Sequence, residues 1–335
     1  MGLVKYALAG NFKRFNNKLK VIAKEENRSL LSLQMHFLKC FRLLGCGYSD
    51  YLNYELYRRS DEELKEYISI KDQDTFYEIV SPSKYKDEFS IKPNFLRMFK
   101  KYINRDYFDG GSREDLEKFL KKHESFMLKP TNGLGGHEVE KVYSKDIKDI
   151  DELYKKVTEG NYFLDECVKQ NKEINKICDS SVNTIRVMTF GYKDYSEIIY
   201  AEMRFGNGTA NVDNFHQGGM GVRVNLETGK LEGDALSKNL DRYSHHPKSG
   251  IKFDGFQIPK WDEISKTCLE AAKVSEHIHF VGWDVAVTDD GVTFIEGNRR
   301  AGWDLTQVLE DRGCKDMMRH CLDKLNEMEG TNYHL

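Results

Sequence analysis

Asp284, Glu296 and Asn298 stand close together in one stretch of this 335-residue sequence, GWDVAVTDDGVTFIEGN, residues 282–298. Two carboxylates and an amide are hard oxygen donors, which suit Mg2+ better than a softer metal. Val285-Ala286-Val287 and Val292-Thr293-Phe294-Ile295 are β-formers, and Asp289-Asp290-Gly291 between them is turn chemistry. A three-residue loop with Gly291 in the left-handed position pairs Thr288 with Val292 and, counting outward, sets Asp284 opposite Glu296. Asn298, two residues on, shares the face of Glu296. Opposed carboxylates repel unless a cation sits between them. A two-residue loop would instead turn Glu296 to the other face, and a solvated hairpin rim is the plain alternative.

A second group lies in FMLKPTNGLGGHEVEKV, residues 126–142. A strand ends near Lys129, and Gly133, Gly135 and Gly136 follow. Glycines let backbone N–H groups approach an anion, so the loop suits phosphates, with Lys129 as a point charge for the same oxygens. The order of parts excludes a P-loop, whose lysine follows its glycines and precedes Ser or Thr. It also excludes the protein-kinase order, in which the glycines precede the lysine strand. In NYFLDECVKQNKEIN a strand end at Asp165-Glu166-Cys167-Val168 offers main-chain donors and acceptors to an adenine edge, and Glu173 a carboxylate to ribose hydroxyls. In AEMRFGNGTANVDNFHQGGMG, Arg204, Asn214 and His216 form a set suited to an acceptor bearing a carboxylate or sugar hydroxyls. His216 has the right pKa class for a general base near neutrality. His245-His246-Pro247 reads as a structural loop.

The elements that must position these groups follow from periodicity. Residues 1 to 90 read as helical: RSLLSLQMHFLKCFRLLGCG has apolar residues at helical spacing and a Gly stop, and SDEELKEYI opens with a Ser-x-x-Glu capping box. KPNFLRMFKKYI is a helix entered through Pro93. From about residue 112 short helices alternate with strands, residues 206–260 form a loop-and-strand insertion, and one closing helix runs from about 304 to 328. The whole is an α+β body behind a mainly helical N-terminal region, with boundaries at 1–90, 91–170 and 171–335.

A net charge of −3 gives no electrostatic case for nucleic acid. No stretch approaches the ~20 apolar residues of a membrane span. The N-terminus lacks a signal-peptide pattern, and Tyr6 breaks the myristoylation motif. Seven cysteines without a C-x-x-C pair read as reduced thiols of a cytoplasmic protein. Residues 10–24 form a basic amphipathic helix, either a solvated face or a weak contact with a membrane surface.

A lysine strand with a Gly loop, an acidic hinge, an arginine strand and a terminal Asp…Glu-x-Asn hairpin resemble the ATP-grasp superfamily. FMLKPTNGLGG, SSVNTIRVMTF, RFGNGTANVDNFHQGGMG, HHPKSGIKFDGFQIPKWDE and VGWDVAVTDDGVTFIEGN resemble its sugar-transfer-associated family, over roughly residues 60–310. The resemblance implies two α+β subdomains gripping ATP. Lys129 would hold the phosphates under the glycine loop. Asp165, Glu166 and Val168 would line the adenine hinge, and Glu173 would take the ribose. Asp284, Glu296 and Asn298 would hold one or two Mg2+ ions. Arg186 would face the transferred phosphoryl group, with Asn183 nearby. A further basic residue is expected on the helix before the lysine strand, where Arg97 and Lys100 both qualify. Arg299 and Arg300 replace a proline found in many relatives and are read as substrate-facing. Trp303 and Asp304 are read as bordering the acceptor.

The function so implied is Mg2+-ATP-dependent carboxylate–amine ligation through an acylphosphate, on a sugar-linked or amino-acid building block of a surface glycan. A kinase acting on a sugar hydroxyl and a non-catalytic ATP-binding regulator are the alternatives.

Overall fold

The computed structural model describes residues 12–132, 138–207, 218–237 and 241–335. Helices α1 (Phe12–Glu25), α2 (Leu30–Leu44), α3 (Tyr48–Asn53), α4 (Asp61–Glu66) and α5 (Ile70–Val80) come first. Their ends are where side-chain chemistry puts them. The Ser29 hydroxyl accepts from Ser32 N at the start of α2, left-handed Gly45 stops it, and Ser60 with Glu63 forms the α4 capping box. Aromatic side chains fill the core between them: Phe15 of α1 stacks on Tyr48 at 4.4 Å, and Phe37 meets Tyr51 edge-on at 5.4 Å.

The first sheet follows α6 (Asp87–Ser90) and α7 (Lys92–Met98). It contains β1 (Tyr107–Phe108), β2 (Ser125–Pro130), β3 (Glu140–Tyr143) and β4 (Tyr162–Glu166), in the order β1-β4-β2-β3 and antiparallel throughout. Helices α8 (Arg113–Lys122) and α9 (Ile150–Thr158) bury Leu116, Phe119, Leu153 and Val157 in one core with the strand residues Phe126, Leu128 and Leu164. These are alternate strand positions, so Lys129 and Asp165 lie on the opposite face, turned away from that core.

After α10 (Lys172–Ile177), the second sheet is built from β5 (Ile185–Tyr192), β6 (Tyr195–Phe205), β7 (Met220–Val224), β8 (Leu231–Ser237), β9 (Arg242–Tyr243), β10 (Phe280–Val287) and β11 (Val292–Asn298). The order is β11-β10-β5-β6-β7-β8-β9, again antiparallel. The insertion expected at 206–260 thus contributes β7 to β9 to the sheet. Helix α11 (Trp261–Ala271) shares the core of this sheet through Trp261, Ile264, Cys268 and Ala271.

The closing helix expected as one piece is two, α12 (Asp304–Leu309) and α13 (Lys315–Glu329). Gly313 lies between them against the Glu66 backbone, where an added Cβ would come within 2.2 Å of the Glu66 carbonyl carbon. The break itself is set at Asp311, which takes the left-handed conformation while Asp311 N donates to Val308 O and Arg312 N to Gln307 O, closing the first piece, and apolar periodicity does not report it. By packing, the chain forms two compact units, Ser81–Ala301 and Met1–Val80 with Gly302–Leu335. Trp303, expected beside an acceptor, is fully buried in the second of these, edge-on to Phe76 at 6.2 Å. All seven cysteines are free. Among the described residues no helix is long and apolar enough to cross a membrane.

Candidate functional site

Six charged residues stand on adjacent strands of the second sheet, each directly across from the next. In order they are Glu232 on β8, Arg223 on β7, Glu202 on β6, Arg186 on β5, Asp284 on β10 and Glu296 on β11. Signs alternate along the row, which makes each cross-strand pair attractive. The alternation fails only at its end, where Asp284 faces Glu296.

That pairing is the expected one, reached by a different route. The β10–β11 turn is a residue longer than expected, closing with Val287 opposite Val292 and Thr288 N donating to Gly291 O. Gly291 does not take the left-handed conformation. A register shift between Asp284 and Val285 then leaves Ile295 unpaired and restores Asp284 opposite Glu296. Gly297 lets this strand lie on aromatic rings, since a Cβ there would meet Phe95 at 2.7 Å and Phe89 at 2.9 Å.

The two carboxylates are treated unequally. Arg186 clasps Asp284 with two hydrogen bonds, at 2.5 and 2.9 Å, and Arg204 bonds the same carboxylate from β6. Burial opposes ionisation of Asp284, but Arg186 and then Arg204 outweigh it and hold its pKa below the usual range. Glu296 has no cation within ion-pair distance among the described residues. Burial, and then the charge of Asp284, push its pKa up. Asn298 directs its amide nitrogen at both, 3.2 Å from Glu296 and 3.4 Å from Asp284.

This donor set fits a hard divalent cation. All three side chains carry oxygen, Glu296 is an under-neutralised carboxylate, and turning the Asn298 amide over would offer its oxygen at the same place. Lys92, at the start of α7, acts on Glu296 electrostatically, in the sense that lowers its pKa. Burial lowers the pKa of Lys92 itself, Glu296 opposes that shift, and Lys129 and Asp165 also act on it electrostatically.

Sequence reasoning missed Lys92. Arg97, one of the two candidates, pairs with Asp109 at 2.7 Å on a largely exposed side chain, and Lys100 is exposed. The signal was Lys92-Pro93, a cation at the first turn of the helix. The backbone fixes its place: Ile91 bridges to Asn132, and Lys92 N donates to Thr131 O, just past the β2 strand that carries Lys129.

Lys129 donates to Asp165 at 2.6 Å, and Arg105 grips the same carboxylate at 2.7 and 3.1 Å. Arg105 also donates to Thr293 and to the Phe294 carbonyl of β11, so one guanidinium ties β4, through Asp165, to the carboxylate hairpin. Sequence reasoning did not single out Arg105 either. Asp165 was expected at an adenine edge, and its side chain, 2% exposed, anchors these cations. Burial raises its pKa, but Arg105 and then Lys129 outweigh this and hold it low. The Glu166 carboxylate accepts from Asp106 N at 2.8 Å, and Val168 lies half-buried where β4 gives way to α10. From there Asn171 N donates to Val287 O, so this linker is tied to the same hairpin. Glu173 is exposed and pairs with Lys176 at 2.7 Å.

The remaining expected residues divide. Asn183 is fully buried, and its amide nitrogen bonds Gln170, the Cys178 carbonyl and the Ser181 carbonyl, while its oxygen accepts from Gly206 N. It is a clamp on the approach to β5, not a group facing a cavity. Arg299 donates to the Ser81 carbonyl at 2.9 Å, and Arg300 is exposed. His246, in the loop read as structural, is 1% exposed and bonds the Gly206 carbonyl at 3.0 Å. Gly133, Gly135, Gly136, Asn214 and His216 lie outside the described residues.

Compared with known proteins, residues 92–322 match the family described as sugar-transfer associated ATP-grasp. No curated protein matches. Among solved structures, the ATP-grasp ligase PsnB complexed with minimal precursor is similar at 16% identity and TM-score 0.45, over 73% of this chain and 64% of that one. The chain therefore spans less than two thirds of PsnB. A Chryseobacterium gregarium RiPP-associated ATP-grasp ligase, in complex with ADP and a leader and core peptide, is similar at 14% identity and TM-score 0.43, over 75% of this chain and 67% of that one. Biotin carboxylase from Campylobacter jejuni is similar at 13% identity and TM-score 0.43, over 70% of this chain and 46% of that one.

Proposed function

Because this chain belongs to the sugar-transfer-associated ATP-grasp family and has the ATP-grasp fold behind a helical N-terminal region, we propose that it is a Mg2+-ATP-dependent carboxylate–amine ligase. The observation that carries the reading is the break in the charge row: two facing carboxylates, one of them without a paired cation among the described residues, with Lys92 acting electrostatically on both Glu296 and Lys129. A polyanion with a divalent cation fits such a place, because opposite charges then alternate through to the phosphates.

In this reading Lys129 and Lys92 bind the triphosphate, and Asp165 with Arg105 keeps Lys129 aimed. The strand end at Glu166 to Val168 offers main-chain groups to adenine, with Glu173 toward the ribose. Asp284, Glu296 and Asn298 would hold Mg2+, which supplies charge neutralisation between the phosphates. Arg186 and Arg204 orient Asp284 and add positive potential where charge moves. The substrate carboxylate oxygen attacks the γ-phosphorus and the bond to ADP breaks. An amine then attacks the acyl carbon, phosphate leaves, and the amine proton passes to a base, a role assigned to His216. Arg299 and Arg300 are assigned to the acceptor side. The family's association with sugar transfer favours an acceptor on a sugar-linked or amino-acid building block of a surface polysaccharide, met in the cytoplasm.

The test is incubation with Mg2+-ATP and pooled amino acids, uronic acids and nucleotide sugars, read by mass spectrometry. A condensation product with stoichiometric ADP and free phosphate is expected. A phosphorylated sugar would make the protein a kinase, and nucleotide binding without turnover across the pool would make it a regulator.

A further inference from the structure

Helices α1 and α2 pack side by side, and one hydrogen bond marks the seam. Gln34 of α2 donates to Asn16 of α1 at 2.9 Å. Helical spacing then fixes what flanks it. On α1, Lys13, Lys20 and Lys24 lie three, four and eight residues from Asn16, along the same edge, and all three are exposed. On α2, Leu31 and Leu38 lie three residues before and four after Gln34, with Met35 beside them. These three apolar side chains are 68%, 45% and 59% exposed. A row of ammonium groups therefore runs beside an uncovered apolar ridge, and Arg42 extends the ridge with a further cation.

Residues 12–45 hold eight Lys and Arg against two Glu, in a chain whose net charge is −3. Scattered exposed apolar residues need no explanation, but three in one helical stripe do. A second copy of this chain is a poor cover, since an isologous contact would bring the same positive surface against itself. An anionic bilayer answers both features: lipid phosphates take the lysines, and the ridge enters the headgroup boundary.

We propose that the joined face of α1 and α2 docks on an anionic phospholipid surface, holding the protein at the membrane by peripheral contact. This inference is independent of the ligase reading and tests without substrate. The full chain is sedimented with vesicles of phosphatidylcholine alone and of phosphatidylcholine mixed with phosphatidylglycerol. Binding to the mixed vesicles only, weakened by salt, is expected. The triple variant K13Q/K20Q/K24Q should lose about a hundred-fold in affinity, at roughly five-fold per charge. Leu31→Ser with Leu38→Ser should weaken binding at unchanged helicity, which separates docking from folding.

Equal binding to both vesicle types, or none to either, would overturn the proposal. So would retention of mixed-vesicle binding by the lysine variant. A concentration-dependent dimer abolished by Leu31→Ser with Leu38→Ser would assign the ridge to a second copy instead.

Discussion

Asp284 and Glu296 face each other across the β10–β11 ladder although the turn between them is one residue too long for simple alternation to place them so. The unpaired Ile295 absorbs the extra residue. A fold that spends a bulge to bring two carboxylates together, and assigns two arginines to only one of them, leaves Glu296 as a place for positive charge to arrive.

Glu296→Gln should therefore make the metal-free protein more stable. The raised pKa of Glu296 means that the fold favours its neutral form, so stability is fully present below the ordinary Glu range and is lost as pH rises through the raised value. At neutral pH the wild type bears that cost and the variant does not. Thermal melts should show a higher midpoint for the variant without Mg2+, and a Mg2+-ATP-induced rise in the wild type alone.

Asp165→Asn should be strongly destabilising. It leaves the buried Arg105 without its carboxylate and the part-buried Lys129 without its anchor, and breaking a buried ion pair such as Arg105–Asp165 costs about 3–5 kcal/mol. Urea unfolding measures the loss. Nucleotide affinity of the folded variant should fall as well, since Lys129 loses its anchor. An unchanged affinity would separate Lys129 from the phosphates.

Lys92 yields a prediction in pH. Burial lowers its pKa, so its charge is lost below the pH at which an ordinary lysine titrates. ATP affinity should decline through that lowered range. In Lys92→Arg the decline should move to higher pH, because arginine keeps its proton. Titrations of nonhydrolysable ATP across alkaline pH give the comparison. The stability term runs the other way: with its folded pKa depressed, neutral Lys92 is favoured, and the metal- and nucleotide-free protein gains stability as pH rises from the lowered value toward the ordinary one.

Asn183→Ala should act on stability and not on substrate handling. Its amide is buried, and its removal strands several backbone groups, which costs about 3 kcal/mol in total. Denaturant unfolding should show that loss while nucleotide affinity of the folded fraction holds. The reverse pattern would return Asn183 to the substrate.

How much of this was readable in the chain follows from which forces are local. The helix stop at Gly45, the capping box at Ser60 and the strands around Lys129 and Asp165 follow from short-range chemistry, and the sequence pattern finds them. Asp284 opposite Glu296 was readable as a pairing but not as a turn, because a bulge and a longer loop cancel in the count. Lys92 was hidden because a helix offers several cations and only tertiary packing selects one. Asn183 looked like a polar group near an arginine strand, and burial alone shows that its amide is used internally. The role of Asp165 could not be seen because its partner Arg105 is 60 residues away.

The most direct measurement is electron paramagnetic resonance of Mn2+ titrated into the protein with a nonhydrolysable ATP analogue, for wild type and for Glu296→Gln. Tight Mn2+ binding that requires nucleotide, present in the wild type and lost in the variant, is the expected result. Equal binding by both proteins, or none by either, would contradict a metal held between Asp284 and Glu296.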